Sequence, residues 1–263
     1  MRLTKLLAAG LAGAIAMPSL AAEVNVYSAR QDALIAPLLE RFEETSGVKV
    51  NLITGKAEEL LTRIKAEGAA TPADLLITVD AGNLHRAKEA GVLQPIESAL
   101  IESRVPEKLI DPGKEWVGLT LRARPIFYAK DRVDPSNLST YEALTDGQWK
   151  GRICIRSSSN IYNQSMVASM IEVNGEAATE QWARGMVANF ARKPTGGDTD
   201  QLRAVAAGQC DIAISNTYYY GRLLDSKKPE DRTVTEALGV FWPNQDDRGV
   251  HVNISGAGYV KHA

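Results

Sequence analysis

CDIAISNTYYYG, residues 210–221, joins a short apolar run to three consecutive tyrosines, Tyr218, Tyr219 and Tyr220. Residues 210–214 are typical of a buried strand of a parallel sheet, and the tyrosines open the helix predicted to follow it. Adjacent side chains of a strand or helix point in different directions, so three neighbouring large aromatics cannot all face one core. Two of the phenol oxygens can instead meet in a cleft. Ionised phenol oxygen is a hard anionic donor that suits a small, highly charged metal ion such as ferric iron.

Strands and helices alternate on both sides of this stretch. A second alternating set of elements, with a helix predicted at residues 165–173, follows Pro125. Helix stops are predicted at Gly47 and near Gly68. The alternation predicts an α/β protein in which two lobes enclose a cleft. Ligands of open α/β sheets bind beyond the carboxyl ends of strands, which are the positions of residues 27–31 and 216–219. The first three strands are predicted at residues 24–27, 48–53 and 73–79.

Residues 1–21 have the pattern of an export signal. Arg2 and Lys5 precede a short apolar stretch, and Ser19 and Ala21 are small residues at the two positions that a signal peptidase reads. Cleavage is expected after Ala21, and a retained membrane anchor is the alternative. No later segment reaches about 20 apolar residues, so the mature protein is expected to be exported to the periplasm without membrane insertion. It is also expected to be a monomer.

Charge and cysteine content exclude several classes of protein. The formal net charge of −2 provides no electrostatic footprint for nucleic acid. Cys154 and Cys210 are the two cysteines of the chain, and an even number in an exported protein is consistent with a disulfide. Two buried free thiols are the alternative. The three histidines, His85, His251 and His262, do not pair at the spacing of zinc ligands.

Separated motifs of this chain resemble those of periplasmic ferric-iron-binding proteins, the substrate-capturing components of iron ABC importers. They occur in the same order through almost all of the mature sequence. The resemblance implies an α/β, two-lobe periplasmic binding protein fold of type II, with a hinge and an interlobe cleft. The motifs are residues 26–31 (VYSARQ), 72–76 (PADLL), 118–124 (GLTLRAR), 156–165 (RSSSNIYNQS), 191–194 (ARKP), 196–198 (GGD), 216–221 (NTYYYG) and 253–256 (NISG).

The resemblance also implies how the chain divides into lobes. Residues 22–124 are expected to form the N-terminal lobe and residues 125–240 the C-terminal lobe. Residues 241–263 are then expected to return to the N-terminal lobe. Family members carry further helices beyond this point, so the chain is expected to be truncated at its C-terminus.

By resemblance, the iron ligands are Tyr162, Tyr218 and Tyr219. The chemistry of the residues supports the same choice. A free phenol has a pKa near 10, so metal binding must displace its proton, and three phenolates match the charge of a ferric ion. The positive end of a helix dipole further favours phenolate in the first turn, where Tyr218 and Tyr219 are expected. Tyr220 is expected to pack or to support the site.

The first lobe is expected to hold an anion that completes the iron coordination, rather than to provide a strong iron ligand of its own. One branch of the family has a His-Tyr pair after Arg30, where this chain has Gln31 and Asp32. Gln31 is a poor ferric ligand and is expected to help bind the anion or to support the site. Asp32 is expected to cap a helix rather than to bind iron. Another branch has Gln here and completes the coordination with a carbonate-type anion. A guanidinium grips such an anion with two hydrogen bonds, so Arg30 and Arg124 are candidate donors.

Each of these supporting residues has a simpler alternative. Arg30 and Arg124 are equally consistent with solvated surface arginines or structural ion-pair partners. Tyr27 ends the first strand and is either a supporting residue of the cleft or a tyrosine of the core.

The resemblance predicts capture of ferric iron, with carbonate or bicarbonate, and its delivery to an inner-membrane ABC permease. A binding protein for an oxyanion or small organic solute is the alternative within the same fold. An exported hydrolase is a third possibility, but the sequence has no Gly-x-Ser-x-Gly and no His-Glu-x-x-His motif. No enzymatic activity is therefore expected.

Overall fold

The computed structural model describes residues 22–263, so the export signal predicted for residues 1–21 lies outside the described residues. The strands are β1 (Glu23–Ser28), β2 (Lys49–Thr54), β3 (Leu75–Val79), β4 (Leu93–Gln94), β5 (Trp116–Ala123), β6 (Ile126–Ala129), β7 (Ile153–Cys154), β8 (Ile212–Ile214), β9 (Leu238–Phe241) and β10 (Val252–Val260). The α-helices are α1 (Asp32–Ser46), α2 (Ala57–Glu67), α3 (Ala81–Glu89), α4 (Ala99–Arg104), α5 (Ile161–Asn174), α6 (Glu176–Ala188), α7 (Asp198–Ala206), α8 (Thr217–Leu224) and α9 (Pro229–Ala237).

The first sheet has the strand order β2-β1-β3-β10-β4, and β5 pairs with β10. Strands β1, β2 and β3 are parallel, whereas β10 runs antiparallel to its three neighbours. Successive side chains of a strand point to opposite faces. Tyr27 and Leu76 accordingly pack on one face, while Val26 and Ile77 pack with Ile35 of α1 on the other. Burial on both faces explains why these strands are apolar throughout.

The second sheet has the order β7-β8-β6-β9. Strands β7 and β8 are parallel, and β6 is antiparallel to both β8 and β9. One face packs against a cluster that includes Trp149, Met166 and Trp182, and the other against Leu202 and Leu223 of α7 and α8. The carboxyl end of β8 leads directly into α8, so the tyrosine run opens a helix as the sequence predicts.

A disulfide joins Cys154 of β7 to Cys210, two residues before β8. Both cysteines are buried, and the bond links positions 56 residues apart. The predicted disulfide is therefore confirmed, and the alternative of two free thiols is wrong.

The two sheets are connected by two chain crossings that lie side by side. One crossing is at Arg124, between β5 and β6, and the other lies between β9 and β10. The backbone N–H of Arg124 donates to the carbonyl of His251 at 3.0 Å. The hydroxyl of buried Tyr141 donates to the Arg124 carbonyl at 2.7 Å and accepts from the His251 N–H at 3.2 Å. The Tyr141 hydroxyl is therefore hydrogen-bonded to both crossings and holds them together.

The residue limits of the two lobes stay a prediction. The first sheet takes its strands from residues 23–123 and 252–260, and the second from residues 126–241. None of the helices within the described range 22–263 has both the length and the apolar character needed to cross a membrane.

The predicted N-cap at Asp32 is wrong. Helix α1 begins at Asp32 itself, and its N-cap is Gln31, which is extended and provides no side-chain cap. Asp32 instead lies in the first turn, where the helix dipole favours a carboxylate. Helix α5 also begins at Ile161, four residues before the predicted start at Ser165, which places Tyr162 on a helix. The Gly47 and Gly68 stops are confirmed.

Replacing both Cys154 and Cys210 with alanine should lower the free energy of unfolding by roughly 2–5 kcal/mol, because the disulfide restricts the unfolded chain. Urea unfolding followed by tryptophan fluorescence measures this change. Reductant should destabilise the natural sequence and leave the double variant unaffected. Equal stability of oxidised and reduced protein would contradict the structural role of the bond.

Candidate metal centre

Three tyrosines lie in the first turns of two helices. Tyr162 is the second residue of α5, and Tyr218 and Tyr219 are the second and third residues of α8. Asn160 caps α5, because its side-chain oxygen accepts a hydrogen bond from the backbone N–H of Tyr162 at 3.0 Å. The N-cap of α8 is Asn216 in an extended conformation. Both helix N-termini therefore present their partial positive charge beside phenol groups.

The three phenol groups lie close enough together that Tyr162 and Tyr219 affect the pKa of Tyr218, and Tyr218 and Tyr219 affect the pKa of Tyr162. The Tyr218 and Tyr219 rings are 4.4 Å apart between centroids and inclined by 34°, and the Asn216 amide donates to the Tyr218 hydroxyl at 3.4 Å. Burial raises the pKa of Tyr218, and the neighbouring phenols raise it further. Burial likewise raises the pKa of Tyr162. A cation bound here must therefore displace protons.

Two arginines lie against the Tyr162 ring. The guanidinium of Arg122 is 5.7 Å and that of Arg156 is 5.3 Å from the ring centroid, which are cation–π distances. Both groups carry positive charge beside oxygens that can become anionic.

Arg122 is buried, and its hydrogen-bonding capacity is only partly used. Its Nη1 donates to Ser255 Oγ at 3.3 Å, and its Nη2 lies 3.5 Å from Asp80 Oδ2. Nε and Nη2 make no hydrogen bond within residues 22–263. Burial lowers the pKa of Arg122, while Asp80 and the two tyrosines Tyr218 and Tyr162 oppose this effect. A buried guanidinium with unsatisfied donors next to the phenols is suited to hold an anionic acceptor.

Arg30 lies beside Arg122 at the edge of the first sheet. Its Nη1 reaches Thr120 Oγ1 at 3.4 Å, and its charge is near enough to lower the pKa of Arg122. Arg30 is half-buried and Gln31 is exposed. Their predicted parts in anion binding remain predictions. Arg122 is not among the residues predicted from the sequence, although the motif at residues 118–124 contains it.

The structure does not bring Tyr27 to this cluster. Tyr27 is fully buried in the core of the first sheet, and its hydroxyl donates to the Glu67 carboxylate at 3.1 Å. Arg63 stacks on the same ring at 4.9 Å. Of the two alternatives for Tyr27, the structure fits the tyrosine of the core, because its ring is fully buried and its hydroxyl bonds to Glu67.

Arg124 fits the alternative of a structural ion-pair partner, because it pairs with Asp198 at 3.1 Å. Arg124 is only 1% exposed, and both of its terminal nitrogens are occupied by buried protein acceptors. Tyr220 turns away from the other two tyrosines of its run. Its ring packs on Phe127 at 5.2 Å, and its hydroxyl donates to the carbonyl of Thr235 at 3.1 Å.

Histidine, cysteine and carboxylate side chains do not form a metal-binding group in the part of the chain that the structure describes. No group of three or more of them is arranged to hold a metal ion there. The tyrosine cluster is thus a donor set of a different kind, built from phenol oxygens.

Asp80 connects the first sheet to the helix that carries Tyr162. Asp80 is fully buried and has a positive φ of 78°, which is unusual for a residue other than glycine. Its Oδ1 accepts hydrogen bonds from Ser165 Oγ and from the backbone N–H of Gly82, and its Oδ2 accepts from Asn253 at 2.9 Å. Ser165 lies one turn after Tyr162 on α5 and faces the same side.

A family model, bacterial extracellular solute-binding protein, matches residues 70–255. The chain belongs to this family. Iron uptake protein A1 of Synechocystis sp. is 54% identical over 241 residues, which are 92% of this chain and 67% of that protein.

Two solved structures extend the comparison to three dimensions. Trichodesmium FutA (IdiA), in complex with iron and citrate, is 54% identical with a TM-score of 0.88, over 92% of this chain and 76% of that one. The ferric binding protein from Campylobacter jejuni is 43% identical with a TM-score of 0.86, over 91% and 76%. These findings confirm the predicted resemblance to ferric-iron-binding proteins and the two-lobe α/β fold of this solute-binding family member.

Replacing Ser165 with alanine should increase the radius of gyration in solution, because the hydrogen bond to Asp80 holds α5 against the first sheet. A hydrogen bond to a charged group contributes about 1.5 kcal/mol, which shifts a closed-to-open equilibrium roughly tenfold. Small-angle X-ray scattering measures the change. Ser103→Ala is the control, since the exposed Ser103 hydroxyl bonds only within α4. Identical scattering from both variants would contradict a clamping role for Ser165.

Proposed function

We propose that this solute-binding protein captures ferric iron in the periplasm and delivers it to the inner-membrane permease of an ABC importer. The observation that carries the proposal is the convergence of Tyr162, Tyr218 and Tyr219 at two helix N-termini. The names of the similar proteins, an iron uptake protein and ferric binding proteins, support the same ligand.

The chemistry of the phenol groups favours ferric iron over softer or less charged metals. Phenolate oxygen is a hard donor, and three phenolates balance the charge of the ion. A free phenol has a pKa near 10, and burial raises the pKa of Tyr162 and Tyr218 further, so binding as phenolates must displace protons. The two helix N-termini stabilise the oxygens after the protons have left.

The positive charge around the cluster supports a bound anion. Three phenolates and one ferric ion have no net charge, yet Arg122 and Arg156 lie beside the Tyr162 ring and Arg30 lies near Arg122. A carbonate or bicarbonate anion on the iron would face these guanidinium groups and would accept hydrogen bonds from the unsatisfied donors of Arg122. Arg122 therefore joins Arg30 as a proposed anion donor, in the place first given to Arg124.

Closure of two lobes would enclose the bound ion. The proposed N-terminal lobe comprises residues 22–124 and 241–263, and the proposed C-terminal lobe comprises residues 125–240. The tyrosines belong to the second and the two anion donors to the first, so binding of metal and anion together favours the closed form. The closed monomer would present the surface that the permease recognises.

The chemistry of this site is that of binding rather than catalysis. A binding protein for an oxyanion or small organic solute is the alternative, because the arginines alone can bind such a ligand. The two functions differ in one measurable property, since ferric iron on phenolates gives a charge-transfer band and a bound oxyanion or organic solute does not.

Mixing the protein with chelated ferric iron and bicarbonate should produce an orange-red charge-transfer band. Tyr162→Phe, Tyr218→Phe and Tyr219→Phe should each lose or shift the band, because each removes one phenolate ligand. The affinity should fall by more than the roughly 10- to 100-fold loss typical of residues that only support a metal ligand. Visible absorption and chelator competition measure both effects.

Tyr220→Phe is the matched control for these variants. Its hydroxyl bonds to Thr235 and not to the cluster, so this variant should keep the band and the affinity. A colourless natural protein that still bound an oxyanion would refute iron binding and favour the alternative.

Removing bicarbonate should weaken ferric binding, and restoring it should recover the charge-transfer band. Arg122→Gln should raise the bicarbonate concentration required by roughly tenfold or more, since hydrogen bonds from charged donors contribute about 1.5–3 kcal/mol each. Arg184→Gln is the control, because exposed Arg184 pairs only with Glu180 on its own helix. Iron binding that is independent of bicarbonate and of Arg122 would rule out the anion at this position.

A further inference from the structure

We propose that the buried pair of Asp198 and Arg124 is the positioning device of the tyrosine cluster, because it joins the first turns of α5 and α8 and sets the distance between Tyr162 and Tyr218. This inference rests on the proposed function and concerns residues that lie behind the phenols. Asp198 is fully buried, whereas its place in the motif at residues 196–198 suggests only a loop or helix cap.

On the α5 side, Arg124 holds the residue next to Tyr162. Its Nη2 donates to Asn163 Oδ1 at 2.7 Å. The Asn163 amide in turn donates to the carbonyls of Arg156 and Ser157 at 3.0 and 3.3 Å. Asn163 thereby fixes both the start of α5 and the loop that leads into it.

On the α8 side, the same pair holds the residue before the tyrosine run. Arg124 Nη1 donates to Asn216 Oδ1 at 3.0 Å, and the backbone N–H of Asn216 donates to Asp198 Oδ2 at 3.2 Å. Asn216 is the N-cap of α8 and its amide contacts the Tyr218 hydroxyl. The start of α8 and the Tyr218 oxygen are therefore connected to Asp198.

The ion pair closes the connection between the two sides. Arg124 Nη1 and Nη2 lie 3.1 and 3.4 Å from the two oxygens of Asp198, and Arg156 Nη1 lies 3.6 Å from Asp198 Oδ1. A planar guanidinium has its donors in a fixed fork, so it holds its two asparagine acceptors at a fixed separation. The tyrosine ligands come from separate helices, and metal binding requires their oxygens at a set distance.

Asn163→Ala tests the inference with the ion pair left in place, and Asp198→Asn tests the pair directly. Both should weaken ferric affinity by roughly 10- to 100-fold and shift the charge-transfer maximum. Arg124→Lys keeps the charge but loses the fork, so it should shift the band as well. Affinity is measured by chelator competition, and thermal unfolding is followed in parallel.

Asn189→Ala is the matched control for loss of a buried asparagine. Asn189 is 4% exposed and donates to the carbonyls of Leu144 and Asp146, away from the tyrosines. It should lower the unfolding temperature comparably while leaving the affinity and the band unchanged. The inference is overturned if Asn163→Ala and Arg124→Lys behave like Asn189→Ala; Asn163→Ala decides the question if Asp198→Asn does not fold.

Failure of the proposed function gives a different result. In that case the natural protein itself shows no charge-transfer band. Crystal structures of the iron-free natural protein and of Asn163→Ala then test the positioning role separately. A greater separation between the Tyr162 and Tyr218 oxygens in the variant supports it, and an unchanged separation overturns it.

Discussion

Buried Arg124 connects the crossing between the two sheets with the helices that carry the tyrosines. Its backbone N–H and carbonyl bond to His251 of the second crossing and to Tyr141. Its guanidinium bonds to Asp198 and to the starts of α5 and α8. A buried charge is costly unless it is paired and hydrogen-bonded. The same contacts that satisfy this charge therefore hold the crossing, α5 and α8 in one arrangement.

The cluster combines phenol groups from helices that pack on the second sheet with guanidinium groups from the first sheet. The three tyrosines lie on α5 and α8, whereas Arg30 follows β1 and Arg122 lies on β5. Asp80 pairs with Arg122 and also accepts a hydrogen bond from Ser165. The arrangement of charge at the cluster and the contact between α5 and the first sheet thus depend on the same carboxylate.

Much of the architecture is predictable from local patterns. The alternation of strands and helices, the glycine stops at Gly47 and Gly68, and the opening of a helix by the tyrosine run all agree with the structure. The start of α5 was predicted too late, because its first turn carries polar residues and Asn160 caps it. Asp32 was assigned as a cap, but a first-turn carboxylate and an N-cap have the same sequence signature.

The identity of the residues around the cluster depends on long-range contacts. A strand pattern does not show that Tyr27 bonds to Glu67, that Arg124 pairs with Asp198, or that a terminal nitrogen of Arg122 makes no hydrogen bond within residues 22–263. The sequence by itself determined the α/β class, which follows from periodicity, and the family resemblance, which follows from separated motifs in a common order. The choice of the three tyrosines was implied by that resemblance and is consistent with the chemistry of phenol groups. Only the tertiary structure decided which arginine faces the phenols and which is buried behind them, because that depends on contacts between residues far apart in the chain.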